Sequence, residues 1–567
     1  MKKTILIAVS SVCLAAGCSE SSDEAGDLHL EADKSYGLTS SSEILVTSEQ
    51  GDRLAVKSNI QFFDGQAAGT VVHVKPDIRK QTIVGIGSSF TESSAFVLAH
   101  LDAGAREELM KRIYGESGAN FSLARTVIGS TDFAVTGKYS YAPVADDAML
   151  ENFGIEVDSD GFRKSEHSGI HDETFDLLPM IKEALAIKAA QQDQEFRIVA
   201  SAWTAPPWMK DIEDWYIGGT PDTFGEGTGG ALKKKHASTY ADYLVRYLDA
   251  YQAEGVDIWG MTPVNEPHGN SGQWESMHFT PETQRDFIKG QLGPTLRSSA
   301  HADVKILIYD QNRDGMEHWT DVVLGDPDAG QYVHGTAVHW YASTDQVFEE
   351  VLNRVHDKFP DFDIIHTEGT IDNLGLAAPE GVTDPDNFQE TDWFDNDEFW
   401  WNPNATDWAY SATWAPNAED HPIYTPVHRY ARNIIVSLNN WMSGWIDWNV
   451  VLDRDGGPNH VGNFCGAPIM IDTETRQIYY TPIYHVLAQF SRTIRPGDTA
   501  VMTSTSLGGL GEDDLHASAT ISNGGLLSVQ VLNTTKQPTR YNLQIGAQFA
   551  EVTIPANAIQ TIRIPLN

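Results

Sequence analysis

The strongest constraint on this chain is a repeated alternation. From about Thr82, short apolar runs give way, again and again, to longer amphipathic ones. The short runs are TIVGIG (82–87), FSLARTVI (121–128), RIVASAW (197–203), IWGMTPVN (258–265), VKILIYD (304–310), GTAVHWY (335–341), DIIHTE (363–368) and GWIDWNVV (444–451). Each has the length and near-continuous apolarity of a strand covered on both faces. Between them lie helical periods. In TYADYLVRYLDAY, Tyr240, Leu244, Tyr247, Leu248 and Tyr251 share one face at a 3.6-residue repeat. TFDLLPMIKEALAIKAA and PVHRYARNIIVSLNN read the same way. Eight strand-then-helix units predict an α/β fold, a (β/α)8 TIM barrel over residues 79–490. An open doubly wound sheet is the alternative, but no strand is followed by a phosphate-binding glycine loop. GIGSSF (85–90) comes nearest and lacks the third glycine.

Both flanks differ from this core. After about Pro496 the period changes to two. Leu527, Val529 and Val531 alternate with polar residues, as do Tyr541, Leu543 and Ile545, then Val552 and Ile554, then Ile562 and Ile564. Turn signals such as SNGG separate them, which predicts a β-sandwich over 491–567, joined by N-terminal strands from 51–78. Residues 1–17 begin Lys2–Lys3 and continue with a short apolar run, the pattern of a signal peptide. LAAGC resembles the lipobox of bacterial lipoproteins, which implies cleavage before Cys18 and lipidation of its thiol. An ordinary secretory peptide is the alternative, and either implies export. The Ser- and acid-rich stretch 18–50 predicts a disordered tether. Cys13 would leave with the signal and Cys18 would carry lipid, so Cys465 is left without a disulfide partner. The expected location is the bacterial cell envelope, with the membrane reached only through the N-terminal lipid. A net charge of −40, from 79 acidic and 39 basic residues, argues against nucleic acid or an anionic membrane surface as partner.

In a barrel the strand C-termini form the reactive face. The fourth run ends in Asn265–Glu266–Pro267 and the seventh in Glu368. Two carboxylates brought to one mouth are the minimum equipment for glycoside hydrolysis. Either glutamate alone reads as readily as a solvated loop residue; the pair at two strand tips shifts the balance. Pro267 is expected to end the strand, and the Asn265 amide to hold a sugar hydroxyl beside the reacting carbon. Arg125, inside an apolar strand, requires a carboxylate partner, and Glu368 is the candidate.

The chain also resembles glycoside hydrolase family 30, most closely its glucosylceramidase-like branch. The resemblance rests on GIGSSFTESSA (85–95), RTVIGSTDFAV (125–135), SAWTAPPWMK (201–210), VNEP (264–267), FTPETQRDFI (279–288), LGPTL (292–296), YVHGTAVHWY (332–341), GWIDWN (444–449) and GGPNHVGNF (456–464). It implies a retaining enzyme with a barrel and an attached sandwich, without metal or cofactor. By position it implies Glu266 as acid/base and Glu368 as nucleophile. Asp132, Trp203, Asn265, Trp448 and Asn463 would line the glycone pocket, with Arg125 and Tyr341 around the nucleophile. Trp274, expected to contact substrate, and Glu275 depart from the family's usual aglycone-side residues. So does an aromatic, acid-rich insertion over 371–425, which reads either as a subsite wall or as a self-packed loop.

The expected reaction is double displacement on a β-D-glucoside. β-1,6-linked glucose in glucans is favoured, glucosylceramide comes second, and β-xyloside, β-fucoside and β-1,6-galactan cleavage occur in related branches. Two rivals stand beside it: a non-catalytic glycan-binding lipoprotein, and a metal-dependent hydrolase using His334, His339 and His366.

Overall fold

All eight runs read as strands form one closed parallel barrel. They are Gly85–Ser89, Leu123–Ile128, Arg197–Ala202, Gly260–Thr262, Lys305–Asn312, Val333–His339, Asp363–Glu368 and Met442–Asp447. Neighbours pair in chain order, and the last closes on the first. The structure is a computed structural model that describes residues 34–218, 228–269, 272–343, 345–371, 394, 397–401 and 425–566. The signal segment, Cys13 and Cys18 lie outside the described residues, as do Trp393, Trp408, Trp414 and the side chain of Phe399 in the insertion.

The bore of the barrel is layered. Val84, Leu123, Val199, Leu307, Ala337, Ile365 and Ile446 pack into one apolar cluster inside it, with Trp259 at its edge. Two residues further along the same strands, on the same face, the positions turn polar: Arg125, Ser201 and Thr367, all buried. The apolar layer closes the base, and the polar layer above it becomes the floor of the mouth. Outside, the helices bury the faces expected of them. Ala237–Ala253 buries Tyr240, Leu244, Tyr247, Leu248 and Tyr251. Leu177–Ala189 starts where the Asp176 carboxylate accepts from the Leu177 N–H, and Pro426–Asn439 starts on a proline that has no N–H to satisfy.

The other large sheet has ten strands. It takes Glu43–Ser48 and Val71–Thr82 from before the barrel and runs through Thr499–Ser506 to Ala558–Pro565 after it. Its alternating residues Leu527, Val529, Val531, Tyr541, Leu543, Ile545, Val552, Ile554, Ile562 and Ile564 share one buried core. The sheet folds over that core as a sandwich: Tyr541 Oη donates to Gln560 Oε1 at 2.9 Å although their strands are not neighbours. Helix Pro482–Thr493 joins sandwich to barrel, with Gln489 Nε2 donating to Leu45 O, Ile559 O and Thr561 Oγ1.

One expectation changes and one alternative gains support. Residues 18–50 are not a tether throughout, because Glu43–Ser48 is a buried strand paired with Ala558–Arg563, and Tyr36 and Leu38 join its core. The apolar ILV run supplies the burial, and the final strand supplies the ladder. Within the insertion, Phe394, Trp400 and Trp401 are buried, and Asp397–Trp401 packs on the helices Pro426–Asn439 and Pro482–Thr493. That part behaves as structural packing.

Candidate active site

The fourth barrel strand stops earlier than its sequence suggests. Its ladder ends at Thr262, before Pro263, so Pro267 is not the residue that ends it. The chain runs on, tied by the Asn265 N–H to Ala202 O at 2.6 Å and the Glu266 N–H to Asp310 O at 2.9 Å. Glu266 itself has φ 45°, and Tyr309 and Asp310 beside it have φ 74° and 60°. Non-glycine residues in this region store roughly 1–3 kcal/mol of strain each. The neighbouring strands hold that strain, and it aims the Glu266 side chain inward.

Glu368 ends the seventh strand, and the two carboxylates meet. An oxygen of each, together with a ring nitrogen of His339, all lie within 4.8 Å of one another. Arg125, fully buried, organises the floor. Its Nη1 donates to Glu368 Oε2, its Nη2 to Asn265 Oδ1 at 2.7 Å and Asp310 Oδ2 at 2.8 Å, and its Nε to Ser201 Oγ at 2.9 Å. Tyr341 Oη donates to Glu368 Oε1 at 3.1 Å. Glu368 is followed by Gly369 for a steric reason: a Cβ there would sit 2.7 Å from His366 Nε2 and 2.8 Å from Trp340 Cε2.

Asp310 links both glutamates. Thr262 and Thr367 donate to it at 2.7 Å, Arg125 reaches it from the Glu368 side, and His339 Nε2 lies 3.0 Å from its Oδ1. His339 Nδ1 lies 3.2 Å from Glu266 Oε1. Asp310 and Glu266 thus flank the two ring nitrogens of His339, a setting that favours the protonated ring. Burial alone would lower its pKa, but Glu368, Asp310 and Glu266 raise it to about 9. Burial pushes Asp310 up, yet Arg125 and His339 hold it well below the usual carboxylate range. For Glu368, burial wins and raises the pKa, against the pull of His339 and Arg125. Arg125 is thus the expected partner of Glu368, but it offsets desolvation rather than overcoming it.

The remaining expected residues wall the same mouth or sit near it. Trp203 and Trp448 stack at 5.2 Å between ring centres, with the Arg125 guanidinium 4.7 Å over Trp203. Asp132 accepts from Asn463 Nδ2 at 3.1 Å and Asn459 Nδ2 at 3.2 Å. Burial lifts it to about 7. With its Oδ1 taken by Arg125, Asn265 keeps its NH2 for another acceptor. Trp274 lies on the loop beyond Glu266, half-buried against the core.

His334, His339 and His366 do not share a site. His334 pairs with Asp363 at the opposite end of its strand, and His366 stacks on Trp445 at 3.7 Å beside the Arg313 guanidinium. Among the described residues, the one group of three donors close enough for an ion is Glu266, His339 and Glu368.

Sequence reasoning missed Asp310 and the service of His339 to Glu266. Asp310 stands at the tip of the fifth run, so the test applied to the fourth and seventh would have found it.

A barrel whose mouth holds two facing carboxylates over a tryptophan-walled polar pocket is a glycoside hydrolase. The chain belongs to glycosyl hydrolase family 30: residues 83–377 and 409–494 match its TIM-barrel domain and residues 499–562 its β-sandwich domain. It is 28% identical to the lysosomal acid glucosylceramidase of Mus musculus over 91% of this chain and 87% of that one. It is likewise 28% identical to the endo-1,6-beta-D-glucanase of Neurospora crassa, over 76% and 74%. Among solved structures, the endo-beta1,6-glucanase BT3312 superposes with a TM-score of 0.69 at 22% identity, covering 93% of this chain and 99% of that one.

Proposed function

We propose that the chain hydrolyses β-D-glucosidic bonds with retention, favouring β-1,6-linked glucose. The observation that carries retention is the approach of the two carboxylates to within 4.8 Å. Direct attack requires a separation of about 5–5.5 Å, whereas inversion leaves roughly 6.5–9.5 Å for a water. Glu368 attacks the anomeric carbon as a carboxylate, and the bond to the leaving oxygen breaks. Glu266 gives that oxygen its proton. Water then attacks the same carbon, passing a proton back to Glu266, and the ester bond to Glu368 breaks. Arg125 and Tyr341 hold Glu368 at its two oxygens, and His339 holds Glu266. Asp132 accepts hydrogen bonds from sugar hydroxyls, Asn265 donates to one, and Trp203 and Trp448 take the apolar sugar faces. Trp274 stands towards the leaving group.

The β-1,6 preference draws on the two endo-1,6-glucanases among the similar proteins and on the export signature, since an envelope enzyme meets polysaccharide. Glucosylceramide is the second reading, supported by the mouse relative. A panel of β-1,6-glucan, β-1,3-glucan and glucosylceramide, with NMR of the first product, separates them. β-Glucose first from β-1,6-glucan is expected. α-Glucose first refutes retention, and turnover of glucosylceramide alone refutes the linkage. We also infer lipid attachment at Cys18 in the cell envelope. Palmitate labelling that persists in Cys18→Ser would refute it.

A further inference from the structure

Glu275 is a buried acid that this mechanism leaves idle. It follows Trp274 on the loop beyond Glu266 and bridges to two other loops of the mouth. Its Oε1 accepts from Ser130 Oγ at 2.7 Å, two residues before Asp132. Its Oε2 lies 3.3 Å from His460 Nε2 in an ion pair too oblique to be a hydrogen bond. His460 Nδ1 lies 3.0 Å from the Ala134 carbonyl, and the His460 N–H donates to the Asp132 carbonyl at 3.1 Å. The Ala134 carbonyl can only accept, so Nδ1 carries a proton, and the Glu275 carboxylate beside Nε2 favours a second proton there. His460 is flanked by Asn459 and Asn463, the two amides that hold the Asp132 carboxyl. On the other side, the buried Lys210 ammonium donates to Ser276 O, next to Glu275, at 2.9 Å, and to Gly229 O and Trp215 O. The charged groups facing His460 are Glu275 and Asp132; those facing Asp132 include Glu368 and Glu275.

We propose that the Glu275–His460 pair is a positioning clasp, locking the loop beyond Glu266, the Asp132 loop and the Asn463 loop into one pocket wall. It rests on the reading of Asp132 as acceptor of sugar hydroxyls. The clasp ties the sugar-binding acid to the loop that carries the proton donor, so glucose is held in register with Glu266. It is also pH-sensitive. Burial disfavours the His460 cation, but Glu275 and the Ala134 carbonyl raise its pKa above the ordinary value. Above that raised value the proton leaves, and Glu275 and Asp132 face each other with no cation between them.

The test is hydrogen exchange on the full-length protein, read on peptides covering 130–135, 272–279 and 456–464, for wild type, Glu275→Gln and His460→Gln. All three segments are expected to lose protection together in both variants, and in wild type at alkaline pH after correction for intrinsic rates. Loosening of 272–279 alone, or of none, overturns the clasp. Ser130→Ala, which keeps both charges, is the milder variant should either fail to fold, with a smaller joint loss expected. On a β-glucoside the wild type cleaves, KM should rise about tenfold or more while kcat falls less. An alkaline rise in KM is expected in wild type and should vanish in His460→Gln; a fall in kcat at constant KM contradicts the proposal. A wild type inactive on every glucoside would refute the functional reading, while the exchange result still judges the clasp.

Discussion

Two groups of buried acids sit on this barrel, and they are treated in opposite ways. At the mouth, Asp310 faces Arg125 and His339, and Glu275 faces His460. Cations at contact distance keep both below their ordinary pKa. Under the long excursion that follows the second strand, Glu92, Asp158 and Asp176 are as deeply buried but held by neutral donors. Thr136 serves Glu92, and Tyr139, Tyr141 and Tyr251 serve Asp158. Backbone N–H groups of Leu177 and Gly161 serve Asp176. Burial lifts Glu92 to about 8, Asp158 to about 7 and Asp176 to about 6. Burial and partner together therefore set the direction. Cations pull Asp310 and Glu275 down, whereas Asp132 at the same mouth, held by two amides, is lifted to about 7, and at Glu368 burial outweighs the two cations.

The comparison breaks most severely at Asp310. Asp310→Asn keeps the shape but leaves Arg125 and His339 short of an anion. Losing one partner of a buried pair costs about 3–5 kcal/mol. The misplaced glutamates should lower kcat/KM by about 100-fold or more. Steady-state kinetics and denaturant melts check both; near wild-type activity would show that the two glutamates are held without Asp310.

Glu92→Gln sharpens the other side with a smaller effect. The folded pKa of Glu92, about 8, lies above the ordinary value of 4.5. Its stabilising contribution is full below that lower value and is lost as pH rises to the higher one. Wild type should therefore lose stability between pH 4.5 and 8. The variant should lose less, by up to about 1.4 kcal/mol per pH unit. Melts across that range with parallel slopes for both proteins would refute the uncompensated reading.

Sequence carried the barrel because strands covered on both faces must be nearly all apolar, and helices of period 3.6 between them leave few other folds. It carried Glu266 and Glu368 because strand tips are few. It carried neither the hub nor the clasp. Asp310 ends the fifth run as the two glutamates end theirs, but its service to Glu266 runs through a backbone carbonyl and an adjacent pair of positive φ angles. Those have no residue signature when the residues are tyrosine and aspartate rather than glycine. Glu275 and His460 are joined only by the closure of the barrel, so nothing local to either marks the pair. The Asn265–Glu266–Pro267 motif points to Pro267 as the strand's end, while the ladder stops ahead of Pro263, the first missing N–H.

The most direct test of the account is to trap the enzyme with a 2-deoxy-2-fluoro-β-glucoside bearing a good leaving group and sequence the labelled peptide. The account predicts one glycosyl ester, on Glu368 within residues 363–371, released by water on standing. An adduct on Glu266, or turnover of activated glucosides with no adduct at all, would contradict it.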